Sequence, residues 1–357
     1  MQKKERSLNA AFGLVVCMLA VGACAAPQKQ AERVWPLPPE PPRIRFVRTI
    51  SSMSDVIGRG PFQSIKEFLV GKDADARLGK PYAVHVDKEG RLYVADSAWR
   101  SILVLDEKKK KFSLLGLEGP GVLSKPLGVT TDAAGRVFVT DTVQNRAVVY
   151  DQDGNFLFAI GEKGRFDQPV GIVVSDALNR AYIVDTRKHK VMVFDSRDGR
   201  FLFEFGGRGV EDGQFNWPTN IFLDKDGKLY VMDTFNFRVQ IFDADGRFQL
   251  KFGGVGRGLG QFSKPKGIAV DSEGHIYVVD AAFNNVQIFD SQGQLLLFFG
   301  QMGGQPGNLW LPAGMYIDQN DYIYVADQYN KRIDVYQFLS EKSTGKTAAA
   351  SAGANAN

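Results

Sequence analysis

The sequence predicts an all-β fold, a six-bladed β-propeller of four-stranded blades closed by an N-terminal strand that completes the last blade. Three observations predict it. A proline heads one recurring unit six times, as Pro81, Pro126, Pro169, Pro218, Pro265 and Pro312, at spacings of 45, 43, 49, 47 and 47 residues. An aspartate closes the second apolar segment of every unit, as Asp96, Asp141, Asp185, Asp233, Asp280 and Asp327. Each complete unit also holds four short apolar segments parted by turn residues, which is the content of one blade.

The chain begins with an address. Lys3, Lys4 and Arg6 precede an uncharged run from Leu8 to Val21, and Gly22-Ala23-Cys24 follows. A basic start, an apolar stretch shorter than the roughly 20 residues a bilayer requires and a small-residue end describe an export signal. Val21-Gly22-Ala23-Cys24 resembles the bacterial lipobox, which implies cleavage after residue 23 and acylation of Cys24. Loss of three cations and one anion with residues 1–23 takes the net charge from +4 to +2. Ala25 stands where an Asp would favour inner-membrane retention, so the resemblance implies the outer membrane. Residues 24–42 carry Pro27, Pro36, Pro38, Pro39, Pro41 and Pro42 and read as an extended tether.

Arg43–Ile50 (RIRFVRTI) is a strand without a repeat of its own, and the sixth unit lacks its fourth strand. An open ring would leave a bare strand edge, so 43–50 is expected as the outer strand of blade six, which makes 43–338 one domain. Residues 61–70 (PFQSIKEFLV) read as a short helix. Blades are expected to start near 78, 123, 166, 215, 262 and 309. The cleanest unit is Pro265–Gly300, PKGIAVDSEGHIYVVDAAFNNVQIFDSQGQLLLFFG. Gly90, Gly135, Gly227 and Gly274 take the last position of its first turn, with Asn179 in the third unit, as a left-handed backbone site requires. Residues 339–357 form a polar tail without core-forming content.

Composition narrows the function. Two Cys exclude a thiolate zinc site and a disulfide framework, and three His leave material for one metal site at most. A net charge of +4 over 357 residues gives no bulk attraction to nucleic acid.

The Pro-x-Gly and Tyr-Val-x-Asp units resemble the NHL-repeat β-propellers over about 260 residues. Together with the lipobox and tether, the chain is similar to bacterial NHL-repeat lipoproteins. Some similar propellers are enzymes. The peptidyl-hydroxyglycine lyases hold zinc through three channel-facing His near the start of the innermost strands. The corresponding residues here are Tyr82, Leu127, Val170, Thr219, Lys266 and Ala313, with no His among them. His85, His189 and His275 fall in three different slots. The recurring Asp87, Asp132, Asp224, Asp271 and Asp318 sit where Asp caps its own turn, so they read as scaffold. No catalytic residue, metal or cofactor is expected, and the alternative is a lyase- or lactonase-type enzyme working in the central channel.

Departures from the repeat point to binding. The five residues after each second-strand Asp form a turn at one rim of the ring. Those thirty positions hold eight cations (Arg100, Arg146, Arg187, Lys188, Lys190, Arg238, Lys331 and Arg332) and no carboxylate. They also hold Trp99, Phe235, Phe237, Phe283 and Tyr329. The repeat suggests that Arg146, Arg238 and Arg332 pair with the blade aspartates. With Tyr82 and Lys266 at the channel mouth, the rim reads as a cationic and aromatic docking surface. The partner expected for an exported scaffold is an envelope protein, a polysaccharide or another polyanion, not nucleic acid, with membrane contact through the lipid alone.

Overall fold

Six antiparallel sheets radiate from one axis in the computed structural model, which describes residues 32–57 and 76–340. Cys24, the segment 61–70 and the tail beyond residue 340 lie outside the described residues. Blade one runs outward in chain order through Pro81–Val86, Leu92–Asp96, Ser101–Asp106 and Lys111–Leu115. The other innermost strands are Pro126–Thr131, Pro169–Ser175, Pro218–Leu223, Pro265–Val270 and Met315–Ile317. Each lies beside the next, and the last meets the first where the Gly314 N–H donates to the Tyr82 carbonyl at 2.8 Å.

Ring closure follows the sequence expectation. Ile44–Ile50 pairs antiparallel with Arg332–Phe338, in register from Ile44 opposite Phe338 to Ile50 opposite Ile333. One feature was not expected. Val34–Trp35, inside the segment read as tether, pairs with Ile44 and Arg45 as a fifth strand of that sheet. Trp35 packs against Phe299 and Tyr336 with centroids 5.7 and 5.9 Å apart. Its burial draws the chain back onto the blade despite the surrounding prolines. A single helical turn, Ser54–Ile57, follows the closing strand, with Asp55 accepting from the Ser51 and Ser52 N–H groups at 2.8 and 2.9 Å.

The repeated residues explain themselves in contact. The Gly of Pro-x-Gly stands where adjacent inner strands converge. A Cβ on Gly128 would lie 2.2 Å from the Val170 oxygen, and one on Gly314 would lie 2.5 Å from the Tyr82 oxygen. Gly128→Ala is therefore expected to cost about 1–3 kcal/mol, read as a lower urea midpoint at unchanged slope. An unchanged midpoint would mean that the blades can part at the axis. Between blades the core is aromatic. Phe205, Phe215 and Phe242 meet at 5.1 to 6.4 Å between blades three and four, and Phe252, Phe262 and Phe289 repeat the arrangement one blade on.

Candidate functional site

The rim turns and the loops joining one blade to the next share one side of the ring, called here the upper face. Its frame is the aspartate that ends each second strand. Asp96 accepts from the N–H groups of Gly79, Lys80, Ala98 and Trp99 at 2.7 to 3.2 Å, and Asp280 does the same for Ser263, Lys264, Ala282 and Phe283. These carboxylates are fully buried, and their oxygens tie the rim turn to the entry of the inner strand. On the lower face Asp87, Asp132, Asp224, Asp271 and Asp318 cap their own turns. Asp87 accepts from the N–H groups of Glu89 and Arg91 at 3.1 and 2.8 Å and from the Tyr93 hydroxyl at 3.1 Å.

The predicted rim residues divide by what they touch. Arg238 donates to Asp233 at 2.8 Å and Arg332 to Asp327 at 2.9 Å, as the repeat suggested. Both also reach across to the preceding inter-blade loop, Arg238 to the carbonyls of Val210, Glu211 and Gln214, and Arg332 to those of Gly304, Gln305 and Asn308. Asn236 and Asn330 add bonds to the Gly209 and Gly303 oxygens, each at 2.9 Å. The Asn-x-Arg pattern is thus a clamp that fixes loop to turn. Arg146 departs from the expected ion pair. Gln144 replaces the clamp Asn, Asp141 is taken up by four backbone N–H groups, and Arg146 donates instead to the Pro120 and Val122 oxygens, both at 3.1 Å.

Other candidates are structural in part. Lys188 donates to the Gly164 and Arg165 oxygens at 2.9 and 2.6 Å, Lys190 pairs with Glu204, and Arg187 stands 3.5 Å from Asp167. Trp99 donates its indole N–H to the Arg77 oxygen at 2.8 Å, and Trp99 and Phe237 each pack on an inter-blade core that includes their own blade. Phe283 is half-buried. Phe235 and Tyr329 are 53% and 56% exposed, while Arg100 and Lys331 are exposed without an ion pair or side-chain hydrogen bond among the described residues. Arg100 and Lys331 also have φ of 55° and 56°, at the fourth turn position, where blades two and five place Asn145 and Asn284. A left-handed backbone costs such residues roughly 1 kcal/mol, which Asn mostly avoids.

The structure adds residues that the rim pattern did not reveal. Tyr329 stacks on Trp310 at 4.1 Å, and Phe235 lies 5.7 Å from Trp217, whose backbone N–H donates to His189 Nδ1 at 3.1 Å. Trp217 immediately precedes a repeat Pro, and Trp310 stands two places before one. Aligning the residues ahead of each Pro would have found both. Of the seventeen large apolar side chains exposed among the described residues, eleven lie on the upper face, including Val143, Val210, Val255, Leu259 and Met302. The lower face contributes Leu178, and the remainder lie on outer strands or the N-terminal arm. Exposed apolar surface is therefore concentrated on one side.

The channel holds a cavity of about 190 Å³ lined by Ala83, His85, Thr131, Asn220, Phe222 and Tyr316, among others. His85 Nε2 accepts from the Thr131 N–H at 3.2 Å and sits 2.9 Å from its hydroxyl, with the Tyr316 ring 4.5 Å away. Burial pushes its pKa down to about 4. The imidazole is neutral at pH 7 and its Nε2 lone pair is already engaged. His189 stays at the rim, and His275 binds Asp271 at 2.8 Å, as Arg91 and Arg136 bind Asp87 and Asp132 in their blades. Among the described residues no three His, Cys, Asp or Glu side chains gather as a metal site.

His85 gives a pH dependence with a definite sign. The unfolded chain takes up a proton near pH 6.5 and the folded chain only near 4, so stability present above 6.5 is lost as pH falls through that window, about 3 kcal/mol in all. The difference in unfolding free energy between wild type and His85→Gln should therefore shrink from pH 7 to pH 4. A difference constant with pH would show that His85 is not buried as described.

No curated protein matches this sequence. Among solved structures, virginiamycin B lyase from Staphylococcus aureus is 15% identical with a TM-score of 0.54, over 72% of this chain and 95% of the lyase. An auxiliary nutrient binding protein from Bacteroides thetaiotaomicron is 16% identical with a TM-score of 0.58, over 74% of this chain and 71% of that protein. Hydrazine synthase from Kuenenia stuttgartiensis is 13% identical with a TM-score of 0.53, over 75% of this chain and 98% of that one. At these identities the likeness is one of fold, and proteins of such different activity show that this fold does not dictate function. Residues 123–205 and 220–283 match the family described as 6-bladed beta-propeller, and with six four-stranded blades joined in a ring the chain is a six-bladed β-propeller.

Proposed function

We propose that this chain is a non-catalytic scaffold, an NHL-type propeller held at the bacterial outer membrane through lipidated Cys24, which binds an envelope partner with its upper face. The observation that carries the reading is the asymmetry of the surface. Eleven exposed apolar side chains share the upper face with Arg100 and Lys331, which have no ion pair among the described residues, and Asn236, Arg238, Asn330 and Arg332 clamp two of its loops in place. Loops held before binding lose little entropy on binding, so a modest patch can give useful affinity. The nutrient-binding neighbour supports a binding role for the fold.

Affinity capture from native envelope tests it. The wild-type protein should retain a partner that Arg100→Glu/Lys331→Glu loses, while Lys108→Glu/Lys109→Glu on the lower face retains it. Equal retention by all three would end the reading. Anchoring has its own test. Cys24→Ser should move the protein from the membrane to the soluble fraction, and continued membrane association would contradict lipidation.

A lyase- or lactonase-type enzyme is the second reading, and it would work from His85 and Tyr316 in the axial cavity. Tightly bound zinc or calcium at one ion per chain in the purified protein would favour it over the scaffold.

A further inference from the structure

The mouth of the channel on the upper face collects cations that form no ion pair with a carboxylate among the described residues. Lys80, Lys125 and Lys264 occupy one slot, the residue before the innermost-strand Pro, in blades one, two and five. All three are exposed. Lys266, two residues further into the throat, is half-buried with its Nζ 5.8 Å from the centre of the Tyr82 ring. None of the four ammonium groups has an ion pair or hydrogen bond among the described residues. The nearest carboxylates cannot serve, because Asp96, Asp141 and Asp280 are spent on the backbone N–H groups of the same turns, those of Lys80, Lys125 and Lys264 included, at 2.8, 3.2 and 3.1 Å. A cation cluster held together by turns that consume its own potential partners is arranged to receive an anion from outside.

We infer that the channel mouth is a carboxylate-binding vestibule, in which Lys266 and its neighbours receive an acidic side chain of a polypeptide partner whose flanking apolar residues rest on the surrounding loops. This rests on the scaffold reading above and names the partner's chemistry. Three features favour polypeptide over a phosphate- or sulfate-bearing polymer. The mouth cations are all lysines, and it is arginine whose planar fork matches phosphate with two parallel bonds. The backbone N–H groups that would otherwise cradle an oxyanion are already donated to aspartates. The loops around the mouth, moreover, expose Val210, Val255, Leu259 and Met302, aliphatic side chains that suit apolar protein residues rather than sugar rings.

Burial, with Lys264 and Lys80 adding repulsion, lowers the pKa of Lys266 to about 8. Its charge is present below that value and lost above it, so affinity for a carboxylate should fall as pH rises from 7 to 9.5. Lys266→Arg, which stays charged, should remove that dependence while keeping the binding.

The test uses the full chain and a labelled ten-residue peptide alternating Glu and Leu, with its Gln/Leu counterpart and a heparin fragment as comparison probes, read by fluorescence anisotropy. Wild type should bind the Glu peptide at least tenfold more tightly than the Gln peptide. Lys80→Gln/Lys264→Gln/Lys266→Gln should bring that ratio close to one, whereas Lys88→Gln/Lys108→Gln/Lys109→Gln on the lower face should preserve it. If the triple mouth variant fails to fold, Lys80→Gln/Lys264→Gln, at exposed positions, replaces it and should lower the ratio several-fold. An unchanged ratio in the mouth variant, equal loss in the mouth and lower-face variants, or tighter binding of the heparin fragment than of the Glu peptide would each overturn the inference. The scaffold reading fails separately, in the envelope capture with the Arg100/Lys331 variant.

Discussion

A chain beginning at Ser52 should not fold to a monomeric, cooperatively melting ring. The strand it lacks, Ile44–Ile50, supplies the outer pairing of Arg332–Phe338 and buries Ile44 and Ile50 to 0% and 1% exposure. Thr49 donates to Asp334 at 2.6 Å, and Arg48 pairs with Glu107 of blade one at 2.7 Å, so the strand also links the last blade to the first. Each fully buried Ile is worth about 1.5–3 kcal/mol, before the lost ladder bonds and the contacts of Phe46 on Tyr336 are counted. Against a net stability of about 5–15 kcal/mol that loss is decisive. It also leaves a bare strand edge open to pairing with another chain. Gel filtration and urea unfolding of the truncated chain beside one starting at Arg33 would show it. A monomeric truncated chain with an unchanged midpoint would mean that the ring closes without this strand.

Substituting Phe235 and Tyr329 together by Ala should weaken capture of the partner at least 30-fold for each residue that acts as an anchor, the effect of about 2 kcal/mol. The ring should still fold, at a cost of about 1–3 kcal/mol. Both side chains are more than half exposed, and their ring contacts, with Trp217 and with Trp310, are worth about 0.5–1.5 kcal/mol each. The measurement is titration of the captured partner into wild type and variant, beside a thermal melt of each. Unchanged affinity would move the binding site off these blades.

The blades were legible in the sequence because their determinants are local and repeated. Gly90 and Gly274 mark left-handed turn positions at φ of 87° and 88°, the Pro-x-Gly glycines mark the close approach of inner strands, and each Asp marks a turn that it caps. Ring closure was legible from a count, a sixth unit one strand short and a strand without a unit. The fifth strand at Val34–Trp35 was not, because its stability comes from Trp35 against Phe299 and Tyr336, residues about 260 to 300 positions away. The rim was legible as a place but not residue by residue. Sequence spacing cannot distinguish Lys188, which binds two loop carbonyls, from Lys331, whose ammonium has no partner among the described residues, nor see that Arg146 donates to loop carbonyls instead of Asp141. The lysines ahead of the repeat prolines are inconspicuous in the sequence because each lies next to a stronger signal, and only the ring brings blades one, two and five around one opening.

We propose that the upper face is where this protein meets its partner. Hydrogen exchange of the protein alone and in complex with the captured partner tests it most directly. Added protection is expected in the rim turns at 97–100, 234–237 and 328–331 and in the loops at 207–214 and 254–261, with the lower turns at 87–90 and 271–274 unchanged. Protection confined to the lower turns or to the outer strands, with the upper loops exchanging as before, would contradict it.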